Sequence, residues 1–234
     1  MSEIKVVESI LHTHEELTSR NKQVFNEKGI YVINMMSSPG SGKTSLLEQV
    51  ISKLKGNVRI AVIEGDLYTT KDAERIEAQG VPVVQINTGG ACHLDGKMIK
   101  GALESFNLDD VDLLVIENVG NLVCPAAFDL GEDIKITVLS TPEGNDKPLK
   151  YPRMFEDSGA IILNKLDLLE FTNFDKAEFY KDINSLNAHA TIFETSCVKD
   201  QGINELCTWL NHQIDHKKTR SWITPKIGLP EMIK

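Results

Sequence analysis

The clearest chemistry in the chain belongs to Ser38-Pro39-Gly40-Ser41-Gly42-Lys43-Thr44-Ser45. An apolar run, Gly29 to Met36, precedes it with the character of a buried strand, and the apolar spacing from Ser45 to Leu54 is helical. Small residues between a strand and a helix let successive backbone N–H groups curve around an anion. The helix N-terminus adds unpaired N–H groups and the positive end of its dipole. In such a phosphate-binding loop Lys43 reaches the β- and γ-phosphates of a nucleotide, and Thr44 offers its hydroxyl to a magnesium ion. Ser37 stands where these loops ordinarily place their first glycine, which a serine tolerates only if the backbone there avoids positive φ.

Phosphate chemistry also needs carboxylates, to hold the ion and orient water. Asp66, just past the strand Val58 to Glu64, is the first candidate, and Asp72 is the second. Asp72 suits equally the first turn of a helix from Ala73 to Ala78. Glu117 ends Asp112 to Glu117, an almost wholly apolar strand that belongs in the middle of a sheet. Gly120, three residues on, can offer its N–H to a γ-phosphate, and Cys124 lies on the same loop. The catalytic candidates are thus Lys43, Asp66, Asp72 and Glu117, with Thr44, Asp66 and Glu117 as the magnesium set.

Asn164-Lys165-Leu166-Asp167 supplies a choice of base. The Asp167 carboxylate can accept from N1–H and the exocyclic amine of guanine, a donor pair adenine lacks. Each such bond to a charged acceptor is worth roughly 1.5–3 kcal/mol. The Lys165 stem can lie along the base, Asn164 can brace the loop, and Ser196 and Cys197 sit where a last loop would meet the base edge. Elsewhere, adjacent Cys92 and His93 follow a glycine-rich loop at the start of a helix that runs to Phe106, and could ligate a metal.

The elements that must position these residues repeat as strand, loop and helix. Further strands are expected at Val81 to Ile86, where the early Pro82 marks an edge position or a strand start, and at Asp133 to Ser140, Ala160 to Leu163 and Ala190 to Glu194. Helices are expected around Tyr151 to Glu156, Lys176 to Leu186 and Ile203 to Ile214. The result is an α/β fold with a mostly parallel, doubly wound sheet and nucleotide at the carboxyl ends of its strands. Residues 1–28 form an amphipathic helix with Val7, Ile10, Leu11, Leu17, Val24 and Phe25 near one face. Residues 29–216 form the nucleotide domain, and 217–234 an irregular tail. His12 and His14, and the pair His212 and His216, are expected to be solvated.

At 234 residues and 41% hydrophobic, the chain can bury one sizeable core. A net charge of −9 without a basic block excludes a general nucleic-acid binder. No apolar stretch approaches the roughly 20 residues of a membrane span, and no leader pattern is visible, so the expected location is the cytoplasm. The four cysteines form no Cys-x-x-Cys pair and read as thiols or metal ligands, not disulfides.

Together, Ser38 to Thr44, Glu64-Gly65-Asp66, Gly89-Gly90-Ala91-Cys92-His93-Leu94-Asp95, Glu117-Asn118-Val119-Gly120-Asn121-Leu122-Val123-Cys124-Pro125 and Asn164 to Asp167 resemble the HypB-type nickel-incorporation GTPases of hydrogenase maturation. The resemblance spans about Tyr31 to Leu210. It implies a P-loop NTPase of the SIMIBI class that hydrolyses GTP to GDP with Mg2+, forms a homodimer with GTP, and holds Ni2+ or Zn2+ on Cys92, His93 and Cys124. It also implies two partners, a HypA-type nickel/zinc accessory protein and the hydrogenase large subunit precursor. Two thiolates and an imidazole suit either metal and leave one position open. The N-terminal cysteine motif and histidine-rich stretch of some members are absent. An alternative is a GTP-gated scaffold that recruits maturation partners around a structural zinc.

Overall fold

The structure, a computed structural model, describes residues 9–223, with side chains from 15 to 219. Seven parallel strands form one sheet: β1 (Tyr31–Ser37), β2 (Ile60–Asp66), β3 (Val83–Asn87), β4 (Leu113–Glu117), β5 (Ile134–Ser140), β6 (Ala160–Asn164) and β7 (Thr191–Glu194), in the order β3-β2-β4-β1-β5-β6-β7. The chain winds outward on one side of β1 and then crosses to the other between β4 and β5. That reversal opens a crevice at the carboxyl end of β1, where the phosphate-binding loop leaves it.

Both faces of the sheet are covered. Ile33 and Met35 of β1 point to one apolar layer, with Leu46, Leu47, Val50 and Ile51 of α2 (Lys43–Leu54) and Leu206 and Leu210 of α8 (Ile203–Ile223). Val32 points to the opposite layer, with Phe25 of α1 (Ser9–Lys28) and Ile99 of α4 (Gly96–Leu103). Met36 joins the remaining part of that side, with Phe155 of α6 (Pro152–Glu156) and Phe179 of α7 (Lys176–Leu186). Strands buried on both faces read as continuous apolar runs, which is why β1 and β4 stand out in the sequence. The short helix α3 (Lys71–Glu77) lines the nucleotide side, and α5 (Lys147–Lys150) packs on α6 and α7.

Three expectations need correction. The final helix does not stop at Ile214, and residues 217–223 do not begin an irregular tail: α8 continues to Ile223. Lys217 reaches Asp133 at 2.5 Å and Asn26 at 2.6 Å, and Lys218 reaches Asp112 at 3.0 Å, so contacts across the fold hold a stretch with little apolar periodicity of its own. Residues 224–234 of the expected tail lie outside the described residues. The inward face of α1 is partly polar: Thr18 and Asn21 are buried, Thr18 donating to the Asp129 carbonyl and Asn21 to that of Gly96. Val7, and the side chains of Ile10, Leu11, His12 and His14, lie outside the described residues. Third, β3 starts at Val83, so Pro82 precedes the strand; β3 is nonetheless at the sheet edge, and the Pro82 carbonyl accepts from Val62 N–H. No helix among the described residues is long and apolar enough to cross a membrane.

Candidate functional site: a phosphate pocket joined to a Cys–His cluster

The loop between β1 and α2 encloses a cavity of about 500 Å³, lined by residues 39–45, Glu64 to Leu67, Asp72, Arg75, Glu117 to Gly120 and Lys165. Gly42 precedes α2 at φ 96°, a left-handed conformation that sets the loop's last turn. Ser37 is fully buried and keeps negative φ, so a serine fits the first position without strain. Its hydroxyl accepts from Lys43 Nζ at 2.8 Å, which holds the ammonium group folded over the loop.

Thr44 Oγ1 donates to Glu117 Oε1 at 2.8 Å. Strand register sets Glu64 of β2 beside Glu117 of β4, and one oxygen of each, Oε2, has no partner. Both residues are almost completely buried. Burial, and for Glu64 also the neighbouring Glu117, pushes their pKa up, so the pair retains a proton well above the ordinary carboxylate range. Two orphaned carboxyl oxygens beside a threonine hydroxyl fit the oxygen-donor chemistry of a magnesium site.

The other two acids are differently placed. Asp66 closes its own loop, accepting from Leu67 N–H at 2.6 Å and from the N–H and hydroxyl of Thr69 at 3.1 and 2.7 Å. Asp72 pairs with Arg75 at 3.1 Å, and Arg75 also grips Glu48 at 2.6 Å and Ser45 at 3.0 Å. Glu64, Arg75 and Asn118 also line the pocket, although the sequence pattern assigns none of them a site role. The signal for Glu64 was an acid ending an otherwise apolar strand, the criterion that singled out Glu117.

At the other end of the crevice, Lys165 takes a left-handed conformation, φ 58°, and its Nζ donates to the Gly40 carbonyl at 2.5 Å. Asn164 Nδ2 donates to the Ser41 carbonyl at 3.0 Å, and its Oδ1 accepts from Thr195 Oγ1 at 3.0 Å. Asp167 accepts from the buried Ser196 hydroxyl, and Cys197 Sγ lies 3.8 Å from Asn164 Oδ1. The expected base-reading residues therefore meet at one place and are tied to the phosphate loop. Cys207 is buried in the core, and His212 and His216 are exposed.

Beyond Gly120 the chain carries Cys124 to Cys92 and His93: one ligand atom from each of the three lies within 4.8 Å of the others. Cys92 Sγ is 3.7 Å from His93 Nδ1, and the imidazole stacks on Phe128 at 3.8 Å between ring centres. Asn121 Nδ2 donates to the Cys92 carbonyl at 3.3 Å. The Cys92 thiol beside it raises the Cys124 pKa; a soft cation between the two sulfurs would relieve that opposition.

Fold and loops together define a nucleotide-binding protein of the P-loop class. The family described as CobW/HypB/UreG, nucleotide-binding domain, matches residues 31–194. Hydrogenase maturation factor HypB of Escherichia coli K12 is 46% identical over 213 residues, covering 91% of this chain and 73% of that protein. Hydrogenase/urease maturation factor HypB of Helicobacter hepaticus is 42% identical over 224 residues, covering 92% of each. Crystal structures of HypB from Helicobacter pylori in complex with nickel (TM-score 0.83, 38% identity, 93% of this chain, 100% of that one) and of hydrogenase maturation factor HypB from Archaeoglobus fulgidus (TM-score 0.82, 35% identity, 87% and 99%) share the fold. The chain belongs to the HypB group of hydrogenase maturation factors.

Proposed function

We propose that the chain is a GTP-hydrolysing nickel metallochaperone for the maturation of nickel–iron hydrogenase, with metal affinity set by the nucleotide. One observation carries this reading: the segment 117–124 contributes Glu117 to Gly120 to the phosphate pocket and Cys124 to the three-ligand cluster. The nickel in the Helicobacter pylori structure, at 38% identity, supports the choice of cargo.

The roles follow from position. Lys43 opposes the charge that grows on the transferred phosphoryl group, and the N–H groups of residues 40–45 cradle the phosphates. Thr44 and Glu117, with Glu64 adjacent, would hold Mg2+, which neutralises phosphate charge when bound. Asp66 lies at the pocket wall at the end of β2, where its carboxylate could turn toward water; Asp72 is held by Arg75 and positions that side chain. Asp167 and Asn164 select guanine, and Asp167→Ala is expected to weaken GTP binding by roughly 10- to 100-fold while ATP binding hardly changes. Gly120 meets the γ-phosphate. Three ligands per chain leave a fourth position for water or for a second copy, which motivates a GTP-promoted homodimer and transfer between a HypA-type accessory protein and the hydrogenase large subunit precursor.

The test is the affinity for nickel and zinc with GDP and with a non-hydrolysable GTP analogue, in the native protein and in the double variant Cys92→Ala, Cys124→Ala. Nucleotide-dependent nickel affinity that disappears in the variant supports the gated metallochaperone. Zinc held equally with either nucleotide makes the protein a GTP-gated scaffold with a structural metal.

A further inference from the structure

Phosphate pocket and metal cluster meet at Leu94, the residue after His93. Its N–H donates to Asn118 Oδ1 at 3.2 Å. The same oxygen accepts from Val119 N–H at 3.0 Å, within the segment that lines the phosphate pocket. Asn118 is buried, its N–H donates to the Met35 carbonyl at 2.9 Å, and its Nδ2 donates to Asn34 Oδ1 of β1 at 3.1 Å. Asn34 in turn donates to Glu132 Oε1 at 3.3 Å. A single amide oxygen thus serves both the loop that would sense a γ-phosphate and the loop that carries Cys92 and His93.

A second contact reaches Leu94 from the other wall of the pocket. Its fully buried side chain lies against Gly65: a Cβ there would come within 2.8 Å of Leu94 Cδ1. Gly65 sits between Glu64 and Asp66 on the pocket lining. Gly120 is also close to the phosphate loop, since a Cβ on it would lie 3.0 Å from the Pro39 main chain. Neither approach leaves slack, and tightly packed contacts transmit small shifts instead of absorbing them.

If Val119 and Gly120 move toward a γ-phosphate, Asn118 Oδ1 must either release one of its two N–H donors or carry Leu94 with it. A buried donor left unpaired costs about 1–3 kcal/mol. Dragging Leu94 shifts the main chain next to His93 and alters the spacing of the cluster. We propose that Asn118 is the positioning residue that couples nucleotide state to the metal ligands, acting through Leu94 and its seat on Gly65. This rests on the gated reading above, and it adds a specific residue outside the three-ligand cluster, whose side chain bonds Leu94, Val119 and Asn34.

The experiment measures the zinc dissociation constant by competition with a chromophoric chelator, with GDP and with a non-hydrolysable GTP analogue, in the native protein, Asn118→Ala and Gly65→Ala. The ratio of the two constants is the readout, because a merely structural defect moves both together. In the native protein the ratio is expected to be roughly 5-fold or more, the lower end of ordinary coupling. In Asn118→Ala it is expected to fall to about 1, and in Gly65→Ala to shift away from the native value. A native ratio of one overturns the gated reading and this inference with it. A native ratio above one that both variants keep overturns the inference alone. Thermal melting verifies that each variant folds; if Asn118→Ala does not, Gly65→Ala decides.

Discussion

Strand β4 begins and ends beside a buried acid, and the two are treated in opposite ways. Asp112, just before Leu113, accepts from the Arg59 guanidinium at 2.6 Å and its backbone N–H at 3.0 Å, and pairs with Lys218 at 3.0 Å. Those partners outweigh burial and hold its pKa well below the ordinary range. Glu117, at the far end, has Thr44, a second carboxyl group at Glu64 and an orphaned oxygen, and its pKa is raised. An acid with cations supplied by the chain stabilises the fold, whereas an acid left short of partners inside a polar crevice is shaped for something that arrives.

Experiments can separate the two ends. The largest effect belongs to Lys43→Ala, which is expected to slow nucleotide hydrolysis by on the order of 100- to 1,000-fold in single-turnover assays, the scale of one lost charge-stabilising donor. If hydrolysis survives, the carboxyl end of the sheet is not where phosphate chemistry occurs.

Asp112→Asn is next, and is expected to destabilise the fold by about 1–2 kcal/mol at neutral pH in urea denaturation, because Arg59 is more than half exposed and its contribution is screened. Nucleotide affinity should not change. A depressed folded pKa gives stability that is present above the unfolded value near 4 and is lost as pH falls below it. The gap between native protein and variant should therefore close under acid, and a gap that persists there would show that the loss comes from packing.

Glu64→Gln should have the smallest effect and the opposite sign. Its folded pKa is raised, so the unfolded chain gains by ionising above about pH 4 and the native protein loses stability as pH rises through neutrality. The amide removes that slope, and the ligand-free variant is expected to be more stable by roughly 1 kcal/mol at pH 8 in thermal melts. Adding GDP and magnesium should erase the advantage. Equal stabilisation with and without ligand would show that Glu64 is only a buried defect.

Much of this comparison was legible in the sequence at one end only. Lys43, Thr44 and Glu117 announce themselves because loop, strand end and helix start are local, contiguous patterns. Asn164, Lys165 and Asp167 are legible for the same reason. Asp112 is visible as the first residue of the expected strand, but its partners Arg59 and Lys218 come from distant segments, and Lys218 lies where the chain reads as a tail. Glu64 stands two residues from Asp66 in Glu64-Gly65-Asp66, and only the structure shows that the Asp66 carboxylate caps its own turn while Glu64 is the acid set beside Glu117.

The sequence by itself determined the seven strands, the phosphate loop, the Asn164-to-Asp167 motif and the presence of Cys92, His93 and Cys124, since each depends on residue type and short-range spacing. Tertiary structure decided which acids meet. Only the β2–β4 register sets Glu64 beside Glu117, and a shift of one residue would send their side chains to opposite faces. Packing also placed Asn118, an ordinary polar residue after a strand, where one oxygen serves both Leu94 and Val119. Hydrogen bonds between segments far apart in the chain leave no periodic trace in composition, so the link between nucleotide pocket and metal cluster emerges only when the sheet is assembled.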